Sequence, residues 1–223
     1  MDQIIRYFFD FSLIAPYWPD ILRGFSLTVV MSVLTVLIGI PLGLAIAIVR
    51  LYRIRSLNAL IILYIDFFRS IPQIVLIILV YFALPYFGIV IDPFWATILA
   101  LSIVLSAFAE EIFWAGINAV AKGQWEASRS TGMTFGQTLW FVILPQVVRI
   151  SIPPLTNRAI GISKGTVLGS VIAVPELLNV TSSIQSNVAN PTALTVGALL
   201  FVALFLPFVL FTRWLERAHA TPR

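Results

Sequence analysis

Residues Phe25–Val49 carry no charged side chain over 25 consecutive positions. Wound as an α-helix, such a stretch is about 37 Å long, enough to cross a hydrocarbon core of roughly 30 Å with some tilt. Composition extends this to the whole chain, which is 60% hydrophobic and 11% charged over 223 residues, with a mean hydropathy of +1.00. A soluble domain of this size cannot hide so much apolar surface, so the chain is read as an integral, all-helical membrane protein. Gly39, Pro41 and Gly43 are expected to bend the first span.

The rest of the chain divides around further apolar stretches. Met1–Arg23 is mixed and slightly acidic and lacks the basic start and cleavage site of a signal peptide. Its aromatic residues, Tyr7–Phe11 and Tyr17–Trp18, suggest a segment lying on the membrane interface. Five spans are expected, over about residues 25–49, 57–84, 94–118, 147–172 and 192–212, in a single transmembrane domain covering residues 1–223. The second is interrupted by Asp66, Arg69 and Pro72. Pro175–Pro191 is a polar connection without a basic residue, and Arg213–Arg223 is a charged tail.

Charge placement orients the spans. Nine Lys or Arg residues fall in the Arg50–Leu57 loop, the Ala121–Arg149 interval and the tail, against two on the other side and three inside spans. By the positive-inside bias the N-terminus is outside and the tail cytoplasmic. The net charge of +4 therefore reads as topology rather than nucleic-acid binding. The chain has no cysteine, and its one histidine, His219, lies in the tail. This excludes disulfides, thiolate metal sites and a haem held by two histidines, and no cofactor is expected.

The cytoplasmic interval 121–146 is the longest that is neither apolar enough to span nor terminal. Its sequence predicts a short amphipathic helix over Trp125–Thr131 and a break at Gly132. A second short helix, Thr134–Val142, is expected to stop at Pro145. Two short helices hinged at a glycine make a docking knob, suited to receiving force from a soluble partner.

The residues here resemble a known family. Glu126-Ala127-Ser128, Gly132 after three residues, and Val142-Ile143-Leu144-Pro145 after nine more are similar to the coupling-loop motif of ATP-binding-cassette importer permeases. Ser128 and Val142 depart mildly from it. Phe68–Pro72, Lys122–Ala127, Leu144–Gln146, Pro153–Asn157 and Val171–Leu177 resemble the polar amino-acid uptake branch. Trp114, Ala115 and Ala121 depart from its pattern, as does Lys164-Gly165-Thr166-Val167, where Lys-Asp-Thr-Ser is common.

The resemblance implies a non-catalytic transport subunit in a bacterial inner membrane, with an identical or homologous permease beside it. It also implies two cytoplasmic ATP-binding subunits and an extracytoplasmic solute-binding protein. No G-x-x-x-x-G-K-[ST] occurs in the chain, which agrees that energy comes from a partner. Glu126, Ala127, Gly132, Leu144 and Pro145 would couple to the ATPase. On their own, Glu126 reads equally as a helix first-turn carboxylate or a partner of Arg129, and Gly132 as an ordinary helix end.

Four polar residues inside spans are candidates for the solute path: Asn157, Lys164, Arg158 and Arg69. Arg69 is either ion-paired, with Asp66, Glu110 or Glu111 in reach, or part of a gate. Asn157 and Lys164 share a helix face and either line a cavity or snorkel and pack against a sister subunit. Gly165, where an acidic residue is usual, favours an anionic or zwitterionic solute over a cationic one. Gly161, Gly165 and Gly169, four apart, predict a stripe for close helix approach. A secondary carrier or channel is the alternative reading, although no repeated halves are evident. A membrane enzyme or respiratory anchor lacks a visible catalytic or ligand set.

Overall fold

Small residues decide where the helices of this chain meet. A computed structural model describes residues 7–219, so Asp2, Arg6 and the last four residues of the tail lie outside it. The first long helix, α2 (Trp18–Arg50), follows a short α1 (Phe11–Ile14) and a 3₁₀ turn. Gly39 and Gly43 face α5 (Pro93–Ala119) so closely that Cβ atoms there would overlap α5. One at Gly39 would lie 2.8 Å from Leu105, and one at Gly43 would lie 2.7 Å from the Ser106 carbonyl oxygen. Lipid is as apolar as a core, so such backbone approach, maximising dispersion contacts, is what joins membrane helices. The chain runs helical through Pro41 without a break.

α5 is the central element. Ala96, Ala100, Leu101, Leu105, Ala109 and Phe113 on it are almost wholly buried, and it packs on α2, α3, α4 and α8. By length and apolarity, four continuous helical stretches can span a membrane: Phe11–Arg50, Pro93–Ala119, Phe135–Ile172 and Thr192–Trp214. The second expected span, 57–84, is not straight. α3 (Arg55–Ser70) and α4 (Gln73–Ala83) belong to helical segments meeting at 107°. Pro72 is the cause: it supplies no N–H and drives Ile71 before it to the extended region, at φ −82° and ψ 133°.

Further expectations are corrected. The expected stop at Pro145 does not occur. α7 (Phe135–Thr138) passes through a π turn, Leu139–Ile143, into α8 (Leu144–Ser163), and a 3₁₀ stretch continues from Lys164 to Ile172. In the π turn the Leu144 N–H bonds the Leu139 carbonyl, five residues back. A proline in a regular helix clashes with the carbonyl four residues earlier; the widened turn relieves it. The polar connection after this span contains a helix, α9 (Leu177–Val188), ahead of α10 (Thr192–His219).

The N-terminal segment does more than lie on an interface. Tyr7, Phe8, Phe9 and Phe11 are exposed, but Ile14 and Ile21 are fully buried in a cluster with Leu177, Ile184, Ala193 and Val196. The glycine stripe is also only partly used. Gly165 meets Gln73 and Leu101 and Gly169 meets Thr97, while nothing approaches Gly161. The change to a 3₁₀ winding after Ser163 rotates the later positions relative to the earlier one.

Candidate coupling loop and intramembrane polar cluster

The loop begins two residues after α5 ends. Val120 and Ala121 are extended, and α6 (Lys122–Ser130) follows. α6 ends at Thr131, and Gly132 takes φ +89°, a left-handed turn that costs a residue with a Cβ roughly 1–2 kcal/mol. No atom lies near its missing Cβ, so backbone conformation, not crowding, calls for glycine here. Thr134 then opens α7 with a reciprocal capping box. Its hydroxyl accepts the Gln137 N–H and the Gln137 side chain accepts the Thr134 N–H at 2.8 Å.

One face of α6 is held and the other is free. The Trp125 ring stacks on Phe135 with centroids 5.5 Å apart. Ser128 is 7% exposed, and its hydroxyl reaches the Gln124 carbonyl and the Thr138 hydroxyl. Glu126, Ala127 and Arg129 point outward and are exposed. Glu126 lies in the second turn rather than the first, and no Glu126–Arg129 ion pair forms among the described residues. Glu126 is therefore neither a first-turn carboxylate nor an ion-pair partner of Arg129. Leu144 is buried under the loop and Pro145 is exposed. The bonding role of Ser128 and the Thr134–Gln137 cap were not anticipated. The Thr-x-x-Gln spacing was the available signal for the second; a serine in place of alanine looked merely tolerated.

The intramembrane charges separate into groups. The Arg69 guanidinium meets Glu111 at 2.6 Å and sits 5.1 Å from the Phe108 ring, while Arg158 lies over the same ring at 3.9 Å. Arg69 and Arg158, distant in sequence, thus converge on one aromatic side chain. Glu110 pairs instead with Arg50 at 2.9 Å, and Asp66 joins no ion pair among the described residues. Arg158 has no acidic partner among the described residues. Asn157 beside it is exposed. Lys164 is elsewhere: its ammonium is 5.8 Å from the Phe205 ring of α10, in an apolar depression of about 400 Å³.

Residues 39–220 match the family described as the binding-protein-dependent transport system inner membrane component. The chain belongs to that family. Among similar proteins of Bacillus subtilis (strain 168), the L-cystine transport system permease protein TcyB is 38% identical, over 77% of this chain and 73% of its own. The probable amino-acid ABC transporter permease protein YckA is 33% identical over 96% of both chains. A crystal structure of an amino acid ABC transporter with histidines superposes with a TM-score of 0.82 at 33% identity, covering 94% of this chain and 98% of that one. The inward-facing MetNI methionine ABC transporter, at 22% identity and a TM-score of 0.68, shares the fold. The chain is thus the membrane-embedded, non-catalytic permease subunit of an ATP-driven importer, and a separate subunit hydrolyses ATP.

Proposed function

We propose that this permease subunit carries polar amino acids or related small carboxylate-bearing solutes inward, driven through the Glu126–Pro145 loop. The observation that carries the reading is the two-sided α6. Trp125 and Ser128 bind it to the start of the fourth span, while Glu126 and Ala127 stay exposed. A partner pressing on that outer face moves the span directly, because Phe135–Ile172 is one continuous helical stretch. The assembly is two permeases, identical or homologous, on two ATP-binding subunits, supplied by an extracytoplasmic solute-binding protein. It sits in a bacterial inner membrane with the N-terminus outside and the C-terminus cytoplasmic. The amino-acid relatives and the basic-residue bias support these points.

The polar cluster favours the solute's charge. Arg69 is neutralised by Glu111, whereas exposed Arg158, inside a span, has no acidic partner among the described residues. Intramembrane cations mark water-filled paths and attract carboxylates. In liposomes holding the complete complex, Gly132→Asp should abolish solute-stimulated ATP hydrolysis and uptake together while the spans remain inserted. Full stimulation and uptake would remove this loop from the mechanism. Arg158→Gln should raise the KM for uptake roughly ten- to hundredfold, as expected for one charge-assisted contact of about 1.5–3 kcal/mol. Arginine or lysine emerging as the best-transported solute would overturn the charge assignment.

A further inference from the structure

Glu110 is 0% exposed in the middle of α5's packed surface. Its own helix offers no cation one turn away, since those positions are Ser106, Ala107, Phe113 and Trp114. The partner comes from another element: Nη1 of Arg50, the last residue of α2, donates to both carboxylate oxygens at 2.9 and 3.2 Å. The same guanidinium lies 4.4 Å from the centroid of Trp114, one turn further along α5. Arg50 is therefore held twice, by charge and by stacking, and its side chain is only 17% exposed.

This clamp sits just before the loop. Five residues after Trp114, α5 ends, and the two-residue link Val120–Ala121 leads into α6. Two extended residues span at most about 7 Å, too little to absorb a displacement of α6. Trp125 of α6 also packs on the buried cluster that contains Ala47 of α2 and Ala109 and Phe113 of α5. The neighbouring pair is different in kind. Glu111 and Arg69 are 49% and 33% exposed in their side chains, so that pair lies outside the packing that encloses Glu110.

We propose that Arg50, Glu110 and Trp114 form a positioning link that makes the end of α2 move with α6, so that force received by the loop is passed to the first span. This rests on the reading of α6 as the ATPase contact. Arg50 touches neither ATP nor solute; it acts through α5.

Uptake per ATP hydrolysed, measured with the whole complex in liposomes, tests the link. Arg50→Gln and Glu110→Gln each strand a buried group and should lower the yield of assembled complex. The double substitution removes both charges, and assembly should recover. Its uptake per ATP should nevertheless stay about tenfold below that of the unaltered complex. Arg50→Lys keeps the charge but loses the planar fork and much of the stacking, and should fall about threefold with normal assembly.

A double variant with an unaltered ratio would make the pair a packing device and overturn the proposal. If the double variant does not assemble, Arg50→Lys decides alone: an unaltered ratio overturns the proposal and a reduced one supports it. Gly132→Asp separates the two readings. If it abolishes stimulated hydrolysis and uptake while the Arg50 variants leave uptake per ATP unaltered, only the link fails. If the Arg50 variants lower uptake per ATP and Gly132→Asp retains full stimulated hydrolysis and uptake, α6 is not the contact and the link through it is overturned as well.

Discussion

Gly43 shows how much one missing methyl group controls. A Cβ there would meet the Ser106 carbonyl oxygen at 2.7 Å and the Glu110 nitrogen at 2.9 Å. Both are helix backbone and cannot rotate aside, so Gly43→Ala must push α2 from α5. The expected cost is about 1–3 kcal/mol, the usual penalty for overpacking. Gly161→Ala is the matched control, since a Cβ there would meet no atom of another element within 4 Å among the described residues, and alanine gains helix propensity of up to about 1 kcal/mol. Thermal inactivation of purified complex should come earlier for Gly43→Ala and not for Gly161→Ala; equal behaviour would refute the close-approach argument. The glycines were visible in the sequence. Which of them touches another helix was not, because i,i+4 spacing defines a face but not what covers it.

At the scale of elements, α9 is tied to α2 through a buried carboxylate. Glu176 caps α9, accepting the N–H groups of Leu178 and Asn179 at 2.8 Å each. The Leu177 N–H next to it bonds the Thr28 hydroxyl of α2. Burial raises the Glu176 carboxyl from 4.5 to about 7, against the lowering effect of the two N–H bonds. Because the folded value exceeds the unfolded one, the contribution to stability is full below about 4.5 and is lost as pH rises through about 7. The melting temperature of the unaltered protein should therefore drop, relative to that of Glu176→Gln, between pH 5 and pH 8. Parallel curves would show that Glu176 does not titrate in this range. Pro175 and Pro191 flank α9 and hid it, since the segment reads as a polar connection until its apolar Leu177 and Ile184 are seen facing Ile14 and Ile21.

For the molecule as a whole, topology is the testable claim. A reporter placed after Arg217 should lie in the cytoplasm and one placed near Asn187 outside, because the α10 stretch Thr192–Trp214 is long and apolar enough to separate them. Both reporters on one face would exclude the arrangement. The outcome depends also on α3 and α4 together crossing the membrane, which their 107° bend does not prevent. An elbow at bilayer depth leaves Ile71 and Pro72 outside regular helix, and such backbone is tolerated where protein or water covers it. The proximity of Gln73 to Gly165 and of Arg69 to Glu111 provides polar company near the elbow.

Class and membership were legible in the sequence because both depend on local quantities. Uncharged runs must be helical in lipid, basic residues resist translocation, and the Glu126–Pro145 spacing is a fixed pattern along the chain. The same holds for the left-handed turn at Gly132. Partner choice was decided only by the tertiary structure. From the sequence, Glu110 and Glu111 were equally available to Arg69; successive positions on α5 diverge by about 100° around the helix, and Glu110 faces α2 while Glu111 meets α3. Asn157 and Lys164 share a face of an ideal helix, yet Lys164 rests against Phe205 while Arg158 stacks on Phe108. Periodicity tells which side chains point the same way, and only packing tells what they meet.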